Sequence, residues 1–144
     1  SPVTVPAKGT YMMTQDLPRF AALYQVPLTV NPRFPINTLN LMRGAVATLG
    51  QDYFDNYVEV VYDAIWVNGD NMGNLEVVAN VLSDAGLNAQ KIIAATQDPD
   101  IKAALISNTD AAVARGCFGA PTMFIGNDMF FGQDRMQFIE MALQ

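Results

Sequence analysis

The sequence predicts an α/β chain that is mostly helical and ends in a β-hairpin followed by a helix. Residues 37–115 place apolar side chains at helical spacing, with Asn or Asp before most helices and Gly after several of them. From residue 119 the pattern changes to two short β-type runs, 122–125 and 129–131, which a Gly-Asn-Asp turn joins. Residues 133–143 return to the amphipathic spacing of a helix.

The first 36 residues predict a connecting segment that contains one helix. Two prolines and a glycine within residues 1–10 indicate a loop, and residues 10–25 then follow helical spacing. Pro18 cannot donate a backbone hydrogen bond, so we expect a kink there or a new helix start with Asp16 as N-cap. Three prolines in residues 26–35 indicate an extended segment.

Five helices are predicted in the helical block, and they cover residues 38–49, 52–67, 74–85, 88–96 and 98–115. Side chains suited to N-capping precede four of them: Asn37 or Thr38, Asn74, Asn88 and Asp98. The sequence is therefore divided into a connecting loop and helix, a helical domain and a β-β-α part, at residues 1–36, 37–115 and 116–144.

Length and composition limit the classes of protein that fit. The 144 residues suffice for one hydrophobic core, and a sequence with 51% apolar and 15% charged residues is not a disordered polyelectrolyte. Eight basic and fourteen acidic residues give a net charge of −6, so the cation excess of a nucleic-acid binder is absent. No apolar run approaches the ~20 residues of a membrane span, and the first residues carry no signal-peptide pattern.

The counts of His and Cys limit the chemistry. The absence of His excludes Ser-His-Asp and Cys-His catalysis and most zinc sites, and no metal site is predicted. Cys117 is the only cysteine, so the sequence holds neither an internal disulfide nor a Cys-x-x-Cys redox pair. A free thiol favours a reducing compartment, here the cytoplasm, and we expect Cys117 to be buried and inert.

The motif Gly119-Ala120-Pro121-Thr122 stands directly before the first β-type run. Proline is acceptable at the first residue of a strand, so a trans Pro121 that only opens the strand is one interpretation. If the bond before Pro121 is cis, the N–H and C=O of Ala120 turn outward and can pair with an extended peptide. Only about one X–Pro bond in twenty is cis, so the motif alone does not decide between the two.

The motif Gly132-Gln133-Asp134-Arg135 opens the last predicted helix. Free N–H groups at a helix start suit a ligand carboxylate, and Asp134 would bind a ligand ammonium, a combination that fits an amino-acid group. The alternative interpretation is that Asp134 only caps the helix and that Arg135 is a solvated charge.

Lys8 and Trp66 each have a functional and a structural interpretation. Lys8 would bind a second carboxylate, although a lone lysine in a loop is more often only exposed. Trp66 is the only tryptophan. It would either line a pocket for an aromatic substrate or pack in the core, because it shares a helical stripe with Val58 and Ile65.

Four segments together resemble one family in their order and spacing. The sequence is similar to the 2-hydroxychromene-2-carboxylate isomerases, which group with the kappa-class glutathione transferases and, more distantly, with the DsbA-type disulfide oxidoreductases. The resemblance covers the whole chain and is most specific from residue 118 to 135. The segments are Lys8-Gly9-x-Tyr11-Met12, Pro35-Ile36-Asn37-Thr38-Leu39, Phe118-Gly119-Ala120-Pro121-Thr122-Met123-Phe124 and Met129-Phe130-Phe131-Gly132-Gln133-Asp134-Arg135.

The resemblance implies a thioredoxin-like fold with a large all-helical insertion, and glutathione as the cofactor. It implies that Pro121 is a cis-proline and that the Ala120 backbone pairs with the cysteinyl residue of glutathione.

The same resemblance implies the remaining binding residues. Asp134, with Gln133, Arg135 and the helix start, would bind the γ-glutamyl end of glutathione. Lys8 would bind the glycyl carboxylate, and Trp66 would border the site of the aromatic substrate.

One departure from the family pattern concerns catalysis. Relatives carry, in an opening β-α-β unit, a serine that orients the glutathione sulfur, or a Cys-x-x-Cys pair in the oxidoreductases. No position of this sequence matches either. We therefore expect a truncated chain, or a partner chain that supplies the missing strand, and little activity from this chain alone.

The resemblance implies a glutathione-dependent cis-trans isomerase of the 2-hydroxychromene-2-carboxylate type in aromatic, naphthalene-like catabolism. Its partner would be a small aromatic carboxylate, with no nucleic acid and no membrane, and the protein would be a cytoplasmic homodimer. The alternatives are a kappa-type glutathione transferase, a DsbA-like disulfide oxidoreductase, and a non-catalytic binding or dimerisation fragment.

Overall fold

The computed structural model describes residues 5–144, and contacts between residues group the chain into two units, Ser1–Lys102 and Ala103–Gln144. Helix α7 spans the boundary between the units, and the predicted three-part division stays a prediction. The helices and strands of the described residues are α1 (Pro6–Tyr11), α2 (Leu17–Tyr24), α3 (Leu39–Thr48), α4 (Phe54–Trp66), α5 (Leu75–Asp84), α6 (Ala89–Ala95), α7 (Pro99–Ala114), β1 (Thr122–Ile125), β2 (Asp128–Phe131) and α8 (Met136–Ala142).

Helix α1 begins at Pro6, so the prediction of a loop over residues 1–10 is wrong for its described part. Proline suits the first turn of a helix, because the N–H that it lacks would have no intrahelical partner there. Residues 1–4 of the predicted loop lie outside the described residues.

Pro18 lies in the first turn of α2, but the predicted new helix start is wrong, because the backbone stays helical without a break from Pro6 to Tyr24 and Asp16 itself has helical φ −70° and ψ −49°. A π-helical turn, Met12–Asp16, comes before it, and the N–H of Leu17 donates to the carbonyl five residues earlier. Asp16 makes no capping hydrogen bond, which corrects its predicted role. Its carboxylate instead lies 3.6 Å from a guanidinium nitrogen of Arg19.

The predicted helices of the block all form, as α3 to α7, and their caps explain where they begin and end. The Asn74, Asn88 and Asp98 side chains each accept a hydrogen bond from a backbone N–H two or three residues later. Before α3 it is Asn37 that does so, accepting from the N–H of Leu39 at 3.1 Å. Glycines with positive φ follow α3, α5 and α7, at Gly50, Gly86 and Gly116.

The core of the unit Ser1–Lys102 is built mainly from α3 to α6. Tyr57 of α4 packs against α3, and its hydroxyl donates to the carbonyl of Leu41 at 2.7 Å. Burial raises the pKa of Tyr57 to about 12. Gly44 leaves room for the phenol ring, since a Cβ there would lie 2.8 Å from Tyr57 Cζ. The buried hydrophobic residues of this core are Leu41, Tyr57, Val61, Ala64, Ile65, Met72, Val78, Leu82, Leu87, Ala89 and Ile92.

Asn31 fixes the irregular segment between α2 and α3 to the end of α4. Its side chain is buried, and Nδ2 donates to the carbonyls of Ile65 at 3.0 Å and Asp70 at 2.9 Å. Its Oδ1 accepts from the N–H of Arg33 at 2.9 Å. All the strong hydrogen-bonding groups of this amide are therefore in use, as a buried amide requires.

Strands β1 and β2 form an antiparallel hairpin in the unit Ala103–Gln144. Strand β2 starts at Asp128, one residue before the predicted start, because Asp128 pairs with Ile125. The turn therefore has two residues, Gly126 and Asn127. Gly126 has φ +60°, the left-handed value that the first position of a type II′ turn requires.

The closing helix begins differently from the prediction. Residues Gln133–Arg135 form a 3₁₀ turn, and the α-helix itself starts only at Met136 and ends at Ala142. Ile139 is the one residue of α8 that is buried. The predicted helix over residues 133–143 is therefore correct in kind but shorter as an α-helix.

Candidate functional site

The loop before β1 is held by hydrogen bonds on both sides of its proline. The Thr122 hydroxyl donates to the carbonyl of Gly119 at 2.6 Å, and the N–H of Gly132 donates to the carbonyl of Pro121 at 3.0 Å. The Ala120–Pro121 bond is cis, as the resemblance implies. Ala120 is exposed, and neither its N–H nor its C=O bonds to another residue of the described chain. Both groups are therefore free to pair with an extended peptide.

The hairpin register brings this loop to the start of the closing helix. Thr122 pairs with Phe131, so the preceding Pro121 lies opposite the following Gly132. The hydrogen bond between these two residues extends the pairing by one step. The two motifs that the sequence singled out, 119–122 and 132–135, therefore meet at one end of the hairpin.

The 3₁₀ turn offers both donors and a carboxylate. Gly132 has φ +103°, and a Cβ on it would lie 2.6 Å from Asp134 Oδ1, so the carboxylate turns back over this glycine. Asp134 Oδ2 lies 2.5 Å from Arg135 Nη1, and both side chains are nearly half exposed. Within the described residues, the N–H groups of Gln133 and Asp134 make no hydrogen bond. This set of groups complements an amino-acid ligand.

A cluster of aromatic rings beside the loop was missed by the sequence analysis. Phe118 lies 4.7 Å from Phe131 between ring centroids, at an interplanar angle of 54°. A Cβ on Gly119 would lie 2.8 Å from Phe131 Cε2, so this ring packs directly against the loop. The Arg115 guanidinium lies 3.5 Å from the centroid of the Phe124 ring. The two-residue turn sets the hairpin register, and that register, which places Phe124 and Phe131 on one face, was the signal that could have identified this cluster.

Two predicted site residues, Lys8 and Trp66, belong to the unit Ser1–Lys102. Lys8 is exposed and lies on α1, where the sequence had predicted a loop. Trp66 ends α4 and is partly buried against the core, with its ring centroid 5.7 Å from that of Phe34. The packing of Trp66 confirms its structural interpretation, and its role in a substrate pocket stays a prediction.

Cys117 is half-buried, and its N–H donates to the carbonyl of Ala112 at 3.0 Å.

Among residues 5–144, no three side chains of His, Cys, Asp or Glu group in a way that could hold a metal ion. No helix of this same stretch has both the length and the apolar character to cross a bilayer.

Comparisons with known proteins match the whole chain. A sequence model of the DsbA-like thioredoxin domain matches residues 1–144. A 2-hydroxychromene-2-carboxylate isomerase of Sphingobium xenophagum is 33% identical over 132 residues, which are 92% of this chain and 67% of that protein. A protein named glutathione S-transferase kappa 2, of Caenorhabditis elegans, is 26% identical over 94% of this chain and 66% of its own length.

A solved structure of a 2-hydroxychromene-2-carboxylate isomerase is similar to this chain, with a TM-score of 0.87 and 28% sequence identity. The match covers 99% of this chain and 69% of that structure. Three 2-hydroxychromene-2-carboxylate isomerases that this chain matches are longer than it is, and the chain spans 59 to 67% of their length.

Proposed function

This chain belongs to the family of DsbA-like thioredoxin domains, together with the 2-hydroxychromene-2-carboxylate isomerases, and on that premise we propose that it forms the glutathione-binding part of such an isomerase. The family match and the structural similarity confirm the thioredoxin-like fold that the sequence implies. The proposed reaction is a glutathione-dependent cis-trans isomerisation of the 2-hydroxychromene-2-carboxylate type in aromatic catabolism.

One observation carries the proposal, namely the hydrogen bond from Gly132 to Pro121 at the end of the hairpin. It holds the free backbone groups of Ala120 next to the 3₁₀ turn that carries Asp134. A tripeptide with an extended backbone and one amino-acid end needs both features within a few ångströms. Glutathione is such a tripeptide, and its γ-glutamyl residue supplies the amino-acid end.

The cysteinyl residue of glutathione would pair with Ala120. The N–H and C=O of Ala120 are both free, so two main-chain hydrogen bonds could form, as in the addition of a strand to a sheet edge. These bonds would fix the tripeptide along the loop and leave its sulfur beyond the hairpin end. Pro121 has no N–H and would not compete for the ligand carbonyl.

The γ-glutamyl end would bind at the 3₁₀ turn. Its carboxylate would accept hydrogen bonds from the free N–H groups of Gln133 and Asp134, and its ammonium would lie against the Asp134 carboxylate. Arg135 already pairs with Asp134, so it would hold this carboxylate in place or bind the ligand carboxylate itself.

The glycyl carboxylate would be bound by Lys8. The side chain is exposed on α1, and its ammonium is a point charge that can follow a flexible ligand end. For the aromatic substrate we retain Trp66 as a residue that borders the pocket, in addition to its packing on the core.

Bound glutathione supplies a thiol that adds to a conjugated bond of the substrate and leaves again, which permits rotation about that bond. The residues of this chain would hold the peptide and neutralise its charged ends, and such positioning can contribute strongly to the rate. The resemblance implies that a serine of the relatives orients the sulfur, and we infer that no residue among 1–144 takes its place. The proposal therefore assigns binding, and not catalysis, to this chain.

A second function, conjugation of glutathione to electrophiles, is favoured by the similarity to a kappa-class glutathione transferase. Both reactions use the same tripeptide site and differ in the second substrate. A homodimer and a cytoplasmic location are proposed with the family assignment, and the single cysteine supports a reducing compartment.

The experiment is a rate assay on a full-length protein that contains this chain, with and without glutathione. We expect isomerisation of 2-hydroxychromene-2-carboxylate only with glutathione, and a much lower rate with a chlorinated nitroarene. Asp134→Asn should raise the glutathione concentration needed for half-maximal rate, whereas Asp110→Asn, on the exposed side of α7, should not. Isomerisation that does not depend on glutathione would refute the proposal, and a faster nitroarene reaction would favour the transferase.

A further inference from the structure

One face of the hairpin is aromatic and open to solvent. Phe124 pairs with Met129, and Thr122 pairs with Phe131. Because alternate residues of a strand share a face and paired residues point the same way, these four side chains lie on one face. Phe131 is 41% and Met129 39% exposed.

Phe118 enlarges this face next to the loop. Its ring lies 4.7 Å from that of Phe131 and is 71% exposed, so most of the ring is available to another molecule. The face formed by Phe118, Phe124, Met129 and Phe131 is called the aromatic face below. Aromatic rings prefer offset or edge-to-face contacts with one another, and a planar ring would find such contacts here.

The aromatic face carries one fixed positive charge. The Arg115 guanidinium lies 3.5 Å from the centroid of Phe124, which is cation–π contact. Within residues 5–144, Arg115 forms no ion pair with a carboxylate, whereas Arg19 and Arg135 each do. A guanidinium that lies on a ring directs its N–H groups outward in its own plane, and they remain free for a bidentate partner.

We propose that the aromatic face and Arg115 bind a small aromatic carboxylate. The ring of the ligand would lie on Phe118 and Phe131, and its carboxylate would accept two hydrogen bonds from the Arg115 guanidinium. The strand residues of this face include no acid, because Asp128 pairs with Ile125 and so points to the opposite face. The charge of the site thus complements an anion and not a cation.

The site adjoins the loop to which glutathione binding is assigned. Phe131 packs against Gly119, which directly precedes Ala120. This inference rests on the proposed function in one respect, since it places the aromatic substrate beside the tripeptide. Arg115 would then be the residue that binds the substrate carboxylate, a role that nothing in the sequence motifs assigns.

The test is an NMR titration of the ¹⁵N-labelled chain with 1-naphthoate and, as a neutral probe with the same rings, 1-naphthamide. Backbone signals of Phe118, Gly119 and Phe131 should shift with both probes, and the naphthamide should bind at least about tenfold more weakly. Arg115→Gln should remove this difference and Arg115→Lys should keep part of it. The control Arg33→Gln removes an exposed guanidinium of the other unit and should leave the difference unchanged.

Several results would overturn the inference: equal affinity for the two probes, an affinity ratio that survives Arg115→Gln, shifts confined to other residues, or no binding at about 10 mM probe. Glutathione is titrated separately into the same samples. Glutathione binding without naphthoate binding would refute this inference alone, and naphthoate binding without glutathione binding would refute the proposed function alone. Circular dichroism of each variant shows whether its fold is intact.

Discussion

Gly44→Ala should destabilise the chain although alanine is the better helix former. Gly44 lies inside α3 and is buried. A Cβ at this position would lie 2.8 Å from Tyr57 Cζ and 3.3 Å from Cε2, and closer still to the phenol oxygen. Either the ring or the helix must move, and Tyr57 is itself almost fully buried.

The magnitude follows from three effects. Replacement of a helical glycine by alanine would by itself stabilise the fold by up to about 1 kcal/mol. The clash adds an overpacking cost of about 1–3 kcal/mol. A displaced ring also loses its hydrogen bond to the Leu41 carbonyl, which is worth about 1 kcal/mol. We therefore expect the free energy of unfolding to fall by about 2 kcal/mol.

The assay is urea denaturation followed by far-UV circular dichroism, with Gly73→Ala as the matched control. A Cβ on Gly73 would lie 3.4 Å from Ile36 Cγ2, close to ordinary contact, and we expect a change within about 0.5 kcal/mol. A Gly44→Ala variant as stable as the parent, or more stable, would refute the packing of Tyr57 against α3.

Three further variants test the core and the site. Burial raises the pKa of Tyr57 to about 12, so the unfolded chain loses this proton from pH 10 while the folded chain keeps it. The free energy of unfolding should therefore fall by about 3 kcal/mol between pH 10 and 12 because of this group, and Tyr57→Phe should remove that fall. If urea denaturation showed the same pH dependence for the parent and for Tyr57→Phe, the result would contradict this prediction. Asn31→Ala removes three hydrogen bonds and leaves the buried Ile65 carbonyl without a partner, so it should cost about 2–4 kcal/mol by urea denaturation, far more than Asn37→Ala at an exposed cap; similar costs for the two variants would contradict the bracing role of Asn31. Gly119→Ala displaces the Phe131 ring and should weaken glutathione binding, measured by calorimetry, at least about fivefold. The circular dichroism spectrum should not change. An unchanged affinity for glutathione would contradict this prediction.

The helical block was predictable because its boundaries are encoded locally. Asn74, Asn88 and Asp98 cap helices through bonds that span two or three residues, and such bonds depend on nothing distant in the chain. Helix α1 was missed because its only start signal, Pro6, also occurs in loops. The role of Asn31 was not predictable either, because its partners lie 34 and 39 residues away.

The candidate site was predicted in part. The two motifs around Pro121 and Asp134 were found from the sequence, and their meeting follows from the hairpin register that the turn sets. The aromatic face was missed because it depends on which side of the hairpin each ring takes. Arg115 was missed as well, since its contact with Phe124 joins residues nine positions apart through a loop.

The most direct test of glutathione binding at the hairpin end is an NMR titration of the ¹⁵N-labelled chain with reduced glutathione. We predict that the amide signals of Ala120, Gln133 and Asp134 shift together with one dissociation constant. Asp134→Asn should raise this dissociation constant at least about fivefold, whereas Asp110→Asn should leave it unchanged. The absence of shifts, shifts confined to other residues, or an affinity indifferent to Asp134→Asn would contradict the account.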